Sequence, residues 1–274
     1  MMSSATRAEI GRLVRLAWPI ALTSLQWTVL NITDTALVGQ ASTTELGELA
    51  AGRIITYVTV VMGLAGLTGV LVFAGRADGA GDRRRAGDAF RQGFALAVVA
   101  GSAVTAAVLI GADWLVRGFD VAPEMRAGGA EFARVMALAM PFQLGFAAAS
   151  YFMEGISRPR VAMVINLTAI PINALLAWAL IHGHAGLPAM GATGAALGTA
   201  TTAVLQCAAL LVLIHRMADA ADFGLARTGQ RFAVRWVRAW REGGEIRRFA
   251  VVPAVAAAFE VGGFSALLAI STRL

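Results

Sequence analysis

The chain has no lysine: its 23 basic side chains are all arginine, set against 17 acidic ones for a net charge of +6. Charge of either sign is scarce, at 15% of 274 residues, while 58% are hydrophobic and the mean hydropathy is +0.68. That balance excludes an ordinary soluble globular domain and fits a polytopic helical membrane protein. The single cysteine, Cys207, lies within an apolar run, so there is no disulfide framework or cysteine metal cluster to build. Histidine is almost as rare. His182 and His184 have no third ligand at usable spacing, and no Ser-His-Asp or Cys-His arrangement accompanies them, so no metal site, organic cofactor or enzyme is expected. The arginines sit in the gaps between apolar runs. That placement fits loops facing anionic lipid and not a nucleic-acid footprint, which makes membrane lipids the expected partners.

Apolar segments predict seven membrane spans, at about 13–39, 47–74, 89–112, 130–153, 159–182, 191–215 and 246–270. Helices are required because open strand edges cannot be satisfied in lipid. The link after the second span clusters Arg76, Arg83, Arg84, Arg85 and Arg91; the fourth link has Arg158 and Arg160; the sixth runs from His215 to Arg248 and is rich in arginine. The first and fifth links have none. This alternation supports the span count and, by the positive-inside rule, puts the N-terminus and the even-numbered links in the cytoplasm of a cell with this protein in its inner membrane. Within the sixth link, Arg231, Arg235, Arg238 and Arg241 recur at helical spacing, with Phe232, Trp236 and Trp240 on another side. That is the pattern of an amphipathic helix on the membrane surface or of a solvated linker helix.

One full charge interrupts the first span. Asp34 lies in the apolar stretch Trp18 to Gly39, where a carboxylate costs a few kcal/mol on insertion and must face a wet cavity or a partner. At about 100° per residue, Thr23, Ser24, Trp27 and Asn31 fall within a quarter-turn of it, so one side of this helix is polar. Asn166 and Asn173 share a face of the fifth span, with Pro171 between them. Glu260 is the other intramembrane acid. Glu154, at the end of the fourth span beside Gly155, reads as interfacial. Arg53 is a rare internal base, and Gly63, Gly66, Gly69, Gly191, Gly194 and Gly198 read as close-packing faces.

The seventh span begins like the first. RLAWPIALTSLQ can be laid on RFAVVPAVAAAFE so that Pro19 matches Pro253 and Gln26 matches Glu260, which is what one half of a duplicated transporter followed by a new first helix would show. The first span's P-x-A-L…N-x-x-D-T-x-x-V-G, the loop DGAGDRRRA, the run RPR…N…PIN from Arg158 to Asn173, and GLPAMGATGAALGT from Gly186 to Thr199 closely resemble the multidrug and toxic compound extrusion family, MATE, of the NorM/DinF type. The resemblance implies a fold of twelve transmembrane helices in two six-helix lobes. The expected organisation is then an N-terminal lobe over 1–215, a basic linker over 216–245, and the first helix of a truncated C-terminal lobe over 246–274.

The resemblance also implies roles. Asp34 matches the cation-responsive acid of the N-lobe, Asn173 the asparagine beside it, and Glu260 a seventh-helix glutamate that NorM-type members use in cation binding. Some members carry a second acid where this chain has Ala177, a departure that bears on a two-carboxylate site. The expected function is exchange of H⁺ or Na⁺ for organic, often cationic compounds by alternating access, with Asp34 and Glu260 coupling and Gln26, Asn31, Asn166 and Asn173 as polar cavity partners. A missing C-lobe would be needed for a complete transporter. A lipid or oligosaccharide-lipid flippase of the same superfamily is the alternative, and would show a more cationic cavity; a truncated, non-transporting membrane protein is the third.

Overall fold

The computed structural model describes residues 4–118, 121–184, 186–225 and 232–271. Nine α-helices are found among them, and no strand: α1 Ser4–Ala41, α2 Thr43–Gly79, α3 Arg83–Gly118, α4 Arg126–Leu138, α5 Met140–Gly155, α6 Pro159–His182, α7 Gly191–His215, α8 Phe232–Glu242 and α9 Gly244–Ser271. Four of these, α2, α3, α6 and α7, are long and apolar enough to cross a membrane, and α4 with α5 forms a fifth span bent by 44°. The helices α1 and α9 occupy the places expected for the first and seventh spans. The chain is a multi-pass helical membrane protein.

The bend in the expected fourth span has a local cause. Pro141 has no N–H, so the carbonyl of Ala137 loses its helical donor. Thr105 of α3 supplies one, its Oγ lying 2.5 Å from Ala137 O. The sequence reads 130–153 as one run because the break costs no apolar residue. The links are also shorter than expected. Ser42 alone separates α1 from α2, and its hydroxyl caps α2 by accepting from the N–H of Thr44 at 3.2 Å. Between α2 and α3 the chain reverses through Gly81, whose φ of +78° is the left-handed region, and Asp82 then accepts from Arg85 N at 2.9 Å at the start of α3.

Two contacts position the site. Gly198 of α7 lies so close to α6 that a Cβ there would stand 3.0 Å from Ala177 N, which lets the two helix backbones nearly touch and brings Asn173 against the threonines of α7. The core between α2, α3 and α5 holds Phe90 and Phe152 with ring centres 4.9 Å apart. Phe223 closes this core from the segment after α7, edge-on to Phe152 at 5.7 Å. The same segment is pinned by Arg158, which donates to both carboxylate oxygens of Asp219 at 2.9 and 2.6 Å, and by Arg91, which donates to Gly224 O at 2.7 Å. The helix α9 packs on α2, with Phe249 over Gly69. The expected amphipathic helix is present as α8, with Val237 and Trp240 exposed; Arg231 and the side chains of Phe232 to Trp236 lie outside the described ones.

Candidate functional site: a buried carboxylate beside an internal cavity

Asp34 is 5% exposed and is held by three helices besides its own. Its Oδ1 accepts from Asn173 Nδ2 of α6 at 3.0 Å. Its Oδ2 accepts from Thr199 Oγ of α7 at 3.1 Å and lies 3.7 Å from Arg53 Nη2 of α2. Thr202, one turn past Thr199, donates toward Asn173 Oδ1 at 3.4 Å and lies 2.8 Å from Gly198 O. Arg53 is oriented in turn by Thr35 Oγ at 3.0 Å and by the backbone carbonyl of Asn31 at 3.4 Å. A carboxylate with this many donors in a buried setting is a charge made tolerable by neighbours that all depend on it.

The expected partners divide. Asn173 touches Asp34; Asn31 lines a small cavity together with Asp34, but its side chain donates back to Trp27 O at 2.8 Å and gives the carboxylate no hydrogen bond. Asn166 is buried but pairs with Gln206, whose Nε2 donates to Asn166 Oδ1 at 2.8 Å. Gln26 is buried and lines the same cavity as that amide pair. Ser24, on the polar stripe, has its side chain outside the described ones. Glu260 is exposed on α9 and is not brought to Asp34. Arg53, Thr199, Thr202 and Gln206 are the additions. The last three sit at i, i+3 and i+7, one face of α7, a polar periodicity within an apolar run.

Ala177 is fully buried and packed against Gly198. Two cavities meet at the site. A small one of about 40 Å³ is lined by Asp34 and Arg53 together with Trp27 and Tyr57. A larger one of about 410 Å³ runs alongside, sharing Trp27, Leu30, Val60 and Thr199 with the first and extending past Asn173 and Gln206 to Glu154. Glu154 therefore faces this cavity and not merely the membrane interface. A third space of about 600 Å³, between the α2–α3 turn and the start of α9, is lined by charges of both signs and shares no residue with these two. No group of three or more His, Cys, Asp or Glu side chains able to hold a metal occurs among the described residues.

A membrane-embedded helical bundle whose buried carboxylate adjoins a drug-sized internal cavity is the architecture of a membrane transporter lobe. The chain belongs to the MatE family, whose model matches residues 19–179. It is 35% identical over 216 residues to the "Probable multidrug resistance protein NorM" of Rhodopseudomonas palustris, covering 78% of this chain and 45% of that one. It is 27% identical over 209 residues to the "Multidrug resistance protein NorM" of Vibrio cholerae, covering 76% and 45%. Among solved structures, the eukaryotic MATE transporter AtDTX14 superposes with a TM-score of 0.79 at 17% identity, over 96% of this chain and 56% of that one. A MOP superfamily transporter from Pyrococcus furiosus gives 0.76 at 19%, over 94% and 54%. These structures establish the fold alone. The chain spans about half the length of the relatives it matches.

Proposed function

We propose that this chain forms one lobe of a secondary active multidrug exporter that exchanges an inorganic cation for organic compounds across the inner membrane. The observation that carries the proposal is the Asp34 arrangement: one buried carboxylate ties α1 to α6, α7 and α2 through Asn173, Thr199 and Arg53. Neutralising it weakens three interhelical contacts at once, so its charge state biases one packing of the lobe over another, which is what alternating access requires. Membership of the MatE family supports reading the chain as part of a transporter. The arginine bias of the links argues for a cytoplasmic N-terminus. A second lobe would supply the opposite wall of the transport path, with Glu260 on the first helix of that lobe as a further cation-binding candidate.

Of the two candidate coupling ions, the geometry favours the proton. The charge of Arg53 opposes either cation at Asp34 alike, but Na⁺ is held by several oxygen ligands, whereas the groups that face this carboxylate, Asn173 Nδ2, the Thr199 hydroxyl and Arg53, all do so as donors. A proton needs no such shell. The flippase alternative wants a cationic cavity, and no base is found among the described residues that line the 410 Å³ space. The test is transport into inside-out vesicles, the direction that corresponds to cellular efflux, for the protein complete with its second lobe and with pH and Na⁺ gradients imposed separately. A pH gradient should drive efflux and D34N should abolish it with membrane insertion intact. Driven efflux unchanged in D34N would remove Asp34 from the mechanism.

A further inference from the structure

Among the described residues that line the 410 Å³ cavity, Glu154 is the one that carries a charge. It is half-buried at the end of α5, and its carboxylate makes no hydrogen bond or ion pair among the described residues. The base next to it in sequence, Arg158 in the turn between α5 and α6, is engaged elsewhere, with Nη1 and Nη2 both on Asp219. Asp34, by contrast, already has its counter-charge in Arg53. The same cavity wall also holds Ser150, 5% exposed, whose Oγ has no hydrogen-bond partner, and Gln143, whose Oε1 has none. Buried polar atoms are nearly always paired, so two orphans on one cavity wall mark a place where a polar ligand completes the set.

From these observations we infer that Glu154 is the counter-charge for a monovalent organic cation bound in this cavity. The ligand's positive group lies between the Glu154 carboxylate and the ring of Tyr151, and its apolar body lies along Leu64, Phe146 and Trp27 toward Asn173. Ser150 and Gln143 take the ligand's N–H or hydroxyl groups. A space of about 410 Å³ is the size of a drug-like molecule, and an apolar wall with aromatic faces and one carboxylate selects amphipathic cations over anions. Charge recognition and ion coupling are thereby divided between two carboxylates. The inference rests on reading the chain as an exporter lobe, but not on Asp34 being the coupling group.

Equilibrium binding to the full-length protein purified in detergent tests it, with ethidium as the cationic probe and Nile red as an uncharged one. E154Q should weaken ethidium binding by about tenfold or more while Nile red stays within about twofold, and E154D should recover part of the loss. Ethidium affinity unchanged in E154Q, or equal losses for both probes, overturns the proposal. If E154Q does not fold, the wild-type protein decides. Dicyclohexylcarbodiimide should label Glu154, read by peptide mass spectrometry, with ethidium blocking the label and Nile red leaving it; no label at Glu154, or labelling indifferent to ethidium, overturns the assignment. Failure of the coupling reading would appear separately, in the D34N gradient response, and would leave these results standing.

Discussion

Asn173 Nδ2 donates to Asp34 Oδ1 at 3.0 Å, joining two side chains 139 residues apart in sequence and tying α6 to α1. Asn173 is fully buried, so its removal leaves the carboxylate short of a donor, while Thr202 keeps Gly198 O as its acceptor. N173A is expected to cost about 1–3 kcal/mol, the penalty for orphaning a buried charged acceptor. The measurement is a lowered melting temperature in detergent, together with loss of pH-driven efflux in vesicles. A variant with wild-type stability and efflux would show that this bond is incidental.

Arg53, 3.7 Å from Asp34, opposes any cation that approaches the carboxylate. R53Q keeps a side chain able to donate to Thr35 and removes the charge. The expected outcome is a melting temperature that rises with NaCl but not with choline chloride in R53Q, against no such difference in the wild type. A wild-type protein already stabilised by Na⁺ over choline would contradict the preference for a proton.

Asp34 was legible in the sequence because a carboxylate inside an apolar run is costly anywhere, whatever surrounds it. The resemblance to MATE proteins brought Asn173 to it, and the structure placed the two in contact. Thr199, Thr202 and Gln206 do not stand out in the sequence, since Thr and Gln are tolerated in membrane helices without a special role and glycines dominate the start of their helix. Those glycines matter for the same site: only the close approach at Gly198 lets α7 present its threonines to Asp34. Glu154 reads as interfacial from its place near a helix end, and only three-dimensional packing shows that the end opens on a cavity. The break at Ala139 was hidden because hydropathy registers composition and not which carbonyl Pro141 strands.

That stranded carbonyl gives a paired prediction. T105A removes the hydroxyl serving Ala137 O and should cost about 1 kcal/mol, the scale of an interhelical hydrogen bond in a membrane protein. Replacing Pro141 by alanine restores the N–H that Ala137 O lacks. In the P141A background T105A should therefore cost less, a coupling that a double-mutant cycle of melting free energies measures. Strictly additive effects would mean that the threonine serves only its own helix, through Gly101 O at 2.9 Å.

Gly198 carries the α6–α7 approach, and a side chain there must push against the backbone nitrogen of Ala177, 3.0 Å from where its Cβ would begin. G198V is expected to lose about 1–3 kcal/mol to overpacking. It should also impair pH-driven efflux, because the displaced α7 carries Thr199 away from Asp34. Retained efflux in a destabilised G198V would separate the packing role from the site.

Outside the membrane-spanning helices, Asp219 ties the segment after α7 to the start of α6. The hydrogen bonds from Arg158 hold its carboxyl below the ordinary aspartate value of 3.8. A carboxyl whose pKa is depressed on folding contributes stability that is complete above its unfolded value and is lost as pH falls through its folded one. The contribution should thus be constant at neutral pH and should disappear from about pH 4 downward. D219N lacks the charge at every pH, so its stability deficit relative to the wild type should be greatest near neutrality and shrink in acid. Melting temperatures of both proteins between pH 3 and 7 test this; a deficit that stays constant across that range would mean that the Arg158 fork contributes shape to the Phe223 segment and no charge-dependent stability.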